Sequence, residues 1–492
     1  MLRAHRVDDV RTAEAALMAT VPEGQLMERA ARGLAHHLLR LVEGDRAARV
    51  LLVVGPGNNG GDALYAGALL AGLGVHVDVL PTDARRVHAE GLAAALAAGA
   101  TRVDAPVPAT VVVDGVVGIG GRGGLREPMA GWWPELHASG ATVVAVDVPS
   151  GVDVDTGTLD GDHVTADLTL TFGTHKPALL LDPAARVAGG RPAPLVDIGL
   201  APFLPAPLLE ALEASDVGVL EAATGGASDP GAQKYSRGVV GVAAGSEQYA
   251  GAAQLCVRGA QAGVAGMVRF VGSPGLCARI VDRCPEVVAH PDDGPHGRVQ
   301  AWVVGPGGGD EVAARLAMAL DDGVPLVVDA DALAHLPGSF EVPVLLTPHA
   351  GELARMLDVD RDAVEADPLA HATRAAERWG ATVLLKGART LVAHPGEATR
   401  VNLTGSPWLA TAGAGDVLAG LAGSFLAAGA DPRAAGSLAA FLHGASSVRA
   451  NPGGPITAHQ VADHVPATIA AMRRGDLAEA DVRRWDGRRR DG

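Results

Sequence analysis

The sequence predicts an α/β protein of two domains, each built on a parallel sheet covered by helices. Three observations carry this. Short β-branched runs alternate with Ala/Leu-rich stretches of helical period along both halves of the 492 residues. The runs are apolar throughout, as expected of strands covered on both faces. The alternation breaks over a Pro/Ala/Gly-rich segment from about Asp197 to Gly231 and then restarts. Domains are therefore expected over 1–215 and 225–480.

In the first half, strands are expected at Val50–Val54, Val75–Leu80, Val111–Val113, Thr142–Val148 and Leu168–Phe172. Helical patterns lie around Met27–Val42, Ala63–Leu73 and Glu90–Ala98. In the second half, strands are expected at Val239–Ala243, Gly266–Val271, Ala301–Val304, Leu326–Asp329, Val344–Thr347 and Thr382–Lys386. Ala-rich helices follow from Ala412 to about Arg473, and the tail WDGRRRDG is expected to fray.

Composition narrows the function classes. A net charge of −16 without a basic stripe argues against nucleic acid as the main partner. No apolar run reaches the ~18 residues of a membrane span, and the N-terminus has no apolar signal region. The cysteines, Cys256, Cys277 and Cys284, form no CxxC pair, which suits a reducing compartment. A cytoplasmic location is expected. Lys occurs only at 176, 234 and 386, and Asn only at 58, 59, 402 and 451, in a chain that otherwise uses Arg. Most of these fall inside Gly-rich motifs, which marks them as places where the side chain matters.

In the first half, VLLVVGPGNNGGDA (Val50–Ala63) reads as a buried strand, a Gly-rich turn and the start of a helix. Such a turn lets a ligand approach main-chain N–H groups, and the helix points its positive end at it. VVVDGVVGIGGRGG places Asp114 at a second strand end, and VVAVDVPSGVDVDTG places Asp147 at a third, with Ser150 three residues on. Ligands of open α/β sheets sit outside such carboxyl ends. One Asp alone would be read as a loop cap; three converging strand ends favour a crevice.

These motifs, with the later ADLTLTFGTHKPA, resemble the NAD(P)H-hydrate epimerase family over roughly residues 10–200. The resemblance implies a Rossmann-like three-layer sandwich. It implies substrate contacts at Asn58, Asn59, Gly60, Gly61, Asp62, Gly118, Ile119, Gly120, Gly121, Arg122, Gly123, Gly124 and Asp147, and potassium ligands at Asn59, Asp114 and Ser150. Carboxylate, amide and hydroxyl oxygens suit a hard monovalent cation. Ala63 stands where the family usually has Gly. Epimerisation at a carbon bearing a hydroxyl needs an acid/base group, and Asp147 is the expected one.

In the second half, ATAGAGDVLAG (Ala410–Gly420) is the strongest signal. Its glycines make a turn whose N–H groups open a helix, an anion hole for a phosphoryl group in transfer. Asp416 is placed to take a proton from an attacking hydroxyl, although Asp also caps helices well. Other segments favour the chemical reading. VLLKGARTLVAH is strand, turn, strand with Lys386 at the bend. TPHAGELARM presents His349 and Glu352 where a strand gives way to a helix. VVGPGGGDE is a further Gly-rich strand end, and LVVDADAL sets carboxylates where solvated magnesium could be held through water.

Together with KYSRGVVGVAAGS and YAGAA, these segments resemble the ADP/ATP-dependent NAD(P)H-hydrate dehydratase family over about residues 230–475, which implies a ribokinase-like α/β domain. The resemblance implies AMP-moiety contacts at Lys386, Gly387, Ala388, Arg389, Thr390 and Gly415. It implies substrate contacts at Ala252, Gly307, Gly309, His349 and Asp416. The chain has GSPW at Gly405–Trp408 where the family often reads GNP. The expected function is repair of hydrated NADH and NADPH (NADHX and NADPHX): epimerisation of the R and S hydrates, then ADP-dependent dehydration of the S hydrate. The expected cofactors are K+, Mg2+ and ADP, and a homo-oligomer is expected. The alternatives are a ribokinase-like small-molecule kinase with an accessory domain, and an N-terminal half that only binds ligand.

Overall fold

The computed structural model describes residues 1–45, 47–224 and 231–482, with the side chains of 479 and 480 excepted. They fall into two compact units, one formed by Arg3–Leu209 and the other by the residues from Glu210 on together with Met1–Leu2. The expected frayed tail and part of the expected linker lie outside the described residues.

In the first unit the strands run in the order 101–102, 76–81, 49–54, 111–115, 142–146, 168–172 and 195–196 across the sheet, all parallel. The chain starts at the centre with Arg49–Val54, steps outward to His76–Pro81 and Thr101–Arg102, then returns to Val111–Gly115 on the other side. Consecutive residues of the central strand feed different cores. Val50, Leu52 and Val54 pack with the helices Gln25–Val42 and Asn58–Gly72, whereas Leu51 and Val53 pack with Met129 and Leu136. This makes three layers, and it is why the strands read as apolar on both faces. The reversal of strand order opens a crevice between the tips of Arg49–Val54 and Val111–Gly115.

The helix expected from Ala63 begins earlier, at Asn58. Gly60 and Gly61 disfavour a helix by propensity, but packing overrides this. A Cβ on Gly60 would lie 2.2 Å from the Gly55 carbonyl oxygen, and one on Gly55 would lie 2.0 Å from that of Val116. The glycines let the helix start directly above the strand tips, which carries Asn58–Asp62 into its first turns.

In the second unit the strands run 288–291, 267–272, 239–243, 301–304, 326–328, 344–346, 382–385, 390–393 and 399–402. The first seven are parallel and the last two pair antiparallel. The order again reverses at the central strand, between Val239–Ala243 and Ala301–Val304. Helices Ala250–Ala262 and Ala414–Ala427 cover one face, where Ala301 and Val303 are buried. On the other face Trp302 donates its indole N–H to Asp322, just past the helix Val312–Asp321.

The covering helices pack backbone to backbone. A Cβ on Gly420 would lie 1.9 Å from the Cys256 carbonyl oxygen, and one on Gly259 would lie 2.1 Å from that of Val417. Main chain cannot yield as a side-chain tip can. Gly420→Ala is therefore expected to destabilise this unit by at least about 1–3 kcal/mol, the usual cost of overpacking, as read by chemical denaturation. Gly218→Ala, where an added Cβ meets nothing within 4 Å, is the matched control and should be near neutral.

Candidate active sites

The crevice of the first unit opens into a cavity of about 1310 Å³. Its walls include Asn58, Asn59 and Asp62 from the helix start, Gly118–Gly120 from the loop after Val111–Gly115, and Asp147, Phe172 and Lys176 from two further strand ends. Gly60 and Gly61 are buried in the same helix turn and do not line the cavity. Gly121, Arg122, Gly123 and Gly124 run on from the cavity wall, where the Gly124 N–H donates to the Gly151 carbonyl at 3.3 Å.

Asp147 ends the strand Thr142–Val146 with φ 68°, a left-handed backbone that Asp tolerates better than most residues. Its Oδ1 accepts from the Thr171 hydroxyl at 2.9 Å, from the Phe172 N–H at 3.3 Å, and from the Lys176 ammonium. Lys176 is fully buried and also donates to Thr171 Oγ1 at 3.0 Å and the Phe172 carbonyl at 2.9 Å. Lys176 was missing from the expected site residues, although the scarcity of lysine had pointed to it. Glu14 of the helix Val7–Met18 also lines the cavity and was not foreseen. Burial raises the pKa of Asp62 well above the ordinary carboxylate value, and nearby Asp147 and Glu14 add to this against Lys176.

Asp114 lies behind this wall, fully buried. Its carboxylate accepts from the Ser150 N–H at 2.8 Å, the Ser150 hydroxyl at 2.7 Å and the Val116 N–H at 3.2 Å. Burial pushes its pKa up to about 6, against those hydrogen bonds. Asn59 Oδ1 would lie 2.8 Å from a Cβ on Gly118, so the amide faces the same loop. The described residues hold no group of three or more His, Cys, Asp or Glu arranged for a metal. A carboxylate, a hydroxyl and an amide oxygen around a buried negative charge do fit a monovalent cation.

In the second unit the strand-order reversal places two loops side by side. A Cβ on Gly307, whose φ is 58°, would lie 2.7 Å from the Ala252 Cβ, and one on Gly309 would lie 3.2 Å from the Ser246 Cβ. Gly309 donates its N–H to Asp331 at 3.2 Å. One turn beyond Ala252, Leu255 touches the turn that opens Ala414–Ala427, because a Cβ on Gly413 would lie 2.2 Å from its Cδ1. Gly413 has φ 84°, the left-handed turn that turns the helix start toward the loops.

Asp416 sits in the first turn of that helix. Burial raises its pKa to about 7, Asp329 adds to the rise, and Lys386 opposes it. The Lys386 ammonium would lie 3.5 Å from a Cβ on Gly415, beside the helix start. It donates to Asp329 Oδ1 at 2.8 Å and lies 3.7 Å from Glu352. Burial lowers the pKa of Lys386, but Asp329, Glu352 and Asp416 outweigh it and leave it raised. Asp329 is buried and also accepts from the Thr347 hydroxyl at 2.8 Å. It anchors the lysine. Gly387, Ala388, Arg389 and Thr390 form the hairpin between Thr382–Leu385 and Thr390–Ala393, with the first two exposed and Arg389 buried.

His349 both caps a helix and stands at the site. Its Nδ1 accepts from the Gly351 and Glu352 N–H groups at 3.0 and 3.2 Å, completing a capping box. Its backbone bridges to Lys386, so the two side chains spring from adjacent chain positions, and Nε2 of the half-exposed ring lies 3.4 Å from Glu352 Oε1.

Comparison with known proteins matches both units. The family model described as NAD(P)H-hydrate dehydratase covers residues 240–466, and that described as YjeF-related protein N-terminus covers residues 23–178. The bifunctional NAD(P)H-hydrate repair enzyme Nnr of Mycobacterium leprae is 41% identical over 486 residues, 95% of this chain and 99% of that protein. The chain belongs to the bifunctional NAD(P)H-hydrate repair enzyme family. The Mycobacterium tuberculosis member is 44% identical over 438 residues, covering 86% of this chain and 89% of its own. Among solved structures, the ADP/ATP-dependent NAD(P)H-hydrate dehydratase of Bacillus subtilis co-crystallised with ATP/Mg2+ is 28% identical. It aligns over 50% of this chain and 93% of its own with a TM-score of 0.47. No described helix is long and apolar enough to cross a membrane.

Proposed function

We propose that this chain, like the repair enzymes it belongs with, restores hydrated NADH and NADPH, with residues 1–215 interconverting the R and S hydrates and residues 225–480 dehydrating the S form with ADP. The observation that carries this reading is that each unit sets a partnered carboxylate and lysine at carboxyl ends of its parallel strands, beside glycine-lined turns. In the first unit these are Asp147 with Lys176; in the second, Asp329 with Lys386, beside Asp416.

In the second unit, Asp416 takes the proton of the hydrate's hydroxyl, whose oxygen attacks the terminal phosphoryl of ADP and releases AMP. The hydroxyl has then become a phosphate ester. Its C–O bond breaks as phosphate leaves, a proton leaves the neighbouring carbon, and the dihydropyridine double bond returns. Lys386 and the N–H groups opening Ala414–Ala427 receive the phosphoryl charge. Gly387–Thr390 and Gly415 hold the AMP moiety, and Ala252, Gly307, Gly309 and His349 hold the substrate. Magnesium, when bound to the nucleotide, neutralises phosphate charge.

In the first unit, Asn58–Asp62, Gly118–Gly124 and Asp147 hold the dinucleotide. Asn59, Asp114 and Ser150 would hold potassium, whose positive charge would balance the buried Asp114. The enzyme is proposed to act in the cytoplasm as a homo-oligomer.

Asp147→Asn is expected to leave dehydration intact but confine it to one epimer. A racemic hydrate should then recover about half the reduced-nicotinamide absorbance in the fast phase. Fast consumption of both epimers by this variant would show that Asp147 is not the epimerase group.

A further inference from the structure

Asp147 alone does not complete an epimerisation. Water adds to a dihydronicotinamide with its oxygen on the carbon beside the ring nitrogen. One route to inverting that carbon lets the hydroxyl depart from one face and water return on the other; the alternative opens the ring C–N bond and keeps the oxygen, and labelled water separates the two. On the first route, departure needs a proton donor and return a proton acceptor.

The geometry divides these tasks. Asp147 Oδ1 is taken up by Thr171, Phe172 and Lys176, while no described residue bonds its Oδ2. Oδ2 therefore remains for water. Lys176 spends its donors on Asp147, Thr171 and the Phe172 carbonyl and has none to spare for a departing hydroxyl. It is a positioning residue. Asp62 shares the cavity wall with Asp147, on a different element, and its carboxylate has no hydrogen bond or ion pair among the described residues.

We infer that Asp62 is a second catalytic residue of the epimerase site, giving its proton to the departing hydroxyl while Asp147 takes one from the water that returns; this rests on the epimerase reading above. The C–O bond breaks, the hydroxyl leaves as water with the Asp62 proton, and the ring nitrogen's lone pair forms a C=N+ bond. Water adds to the opposite face of that carbon, the π electrons return to nitrogen, and the surplus proton passes to Asp147. The net change is one proton moved from Asp62 to Asp147, reset through solvent, and no oxidant or reductant is consumed. The high pKa of Asp62, set first by burial and then by Asp147 and Glu14, keeps the needed proton in place. Glu14, on the helix Val7–Met18, is the competing donor: burial raises its pKa too, with Asp147 adding and Lys176 and Arg11 opposing, so the variants below separate the two carboxyls.

The test measures interconversion of separated R and S hydrates of NADH by the full chain in H2(18)O. Asp62→Asn is expected to slow interconversion at least about 100-fold, the scale of general acid catalysis, while still saturating with hydrate. Asp62→Glu should regain part of the rate, and Glu14→Gln should stay within a few-fold of the unmodified chain. Each inversion by the unmodified chain should place one solvent oxygen in the hydrate. A full rate in Asp62→Asn, loss of binding in that variant, loss of rate in Glu14→Gln alone, or inversion without solvent oxygen would each overturn the inference. If the unmodified chain interconverts nothing, the epimerase reading itself falls.

Discussion

Asp416→Asn is expected to abolish ADP-driven recovery of the reduced nicotinamide, lowering it by about 100- to 10,000-fold, the contribution of a positioned general base. The amide keeps the shape of the side chain, which sits in the first turn of Ala414–Ala427, so folding should survive. What disappears is the group that takes the hydroxyl proton. The pH profile gives a second, independent reading. Burial, reinforced by Asp329, raises the Asp416 pKa to about 7. A base works only when deprotonated, so kcat/KM should fall as pH drops through about 7 and level off above it. A carboxylate that merely capped the helix would produce neither the loss nor that limb.

The second large effect is on stability. Lys176→Met should destabilise the first unit by about 3–5 kcal/mol, the usual cost of leaving one member of a buried ion pair unpaired. Both partners are shielded, with side-chain exposures of 1% for Lys176 and 9% for Asp147. The substitution also strips a donor from Thr171 and the Phe172 carbonyl. Denaturant unfolding would measure the loss, and Asp147→Asn combined with Lys176→Met should recover part of it, because the orphaned charge is gone. Equal destabilisation in the single and double variants would mean that packing, not the pair, sets the cost.

Both largest effects fall on residues whose local sequence differs greatly in what it revealed. Asp416 was legible because its turn, its glycines and its helix are contiguous, so the eleven residues Ala410–Gly420 hold the whole device. The central strands were legible for a similar reason: their apolar runs report two covered faces directly. Lys176 was legible only as a rarity. Its partner Asp147 is 29 residues away, and nothing local says that the two meet. Glu14 comes from a helix that precedes every strand of the first unit's sheet, and only the fold brings it to the cavity.

One local reading changed for a physical reason, and others were incomplete. The Asn58–Asp62 segment is helical because glycine permits close approach to Gly55 where propensity alone would forbid it. Asp329, expected among carboxylates near solvated magnesium, also anchors Lys386 and accepts from Thr347 through its Oδ1, which no local pattern reports. The strand at Thr399–Asn402 was not foreseen, since four residues carry little periodic signal.

The most direct test supplies the full chain with a racemic hydrate of NADH, ADP and magnesium, and follows absorbance, AMP and phosphate together. Complete recovery of NADH, with one AMP and one inorganic phosphate released for each molecule restored, is the predicted result. Accumulation of a stable phosphorylated product without NADH would contradict it and indicate a kinase.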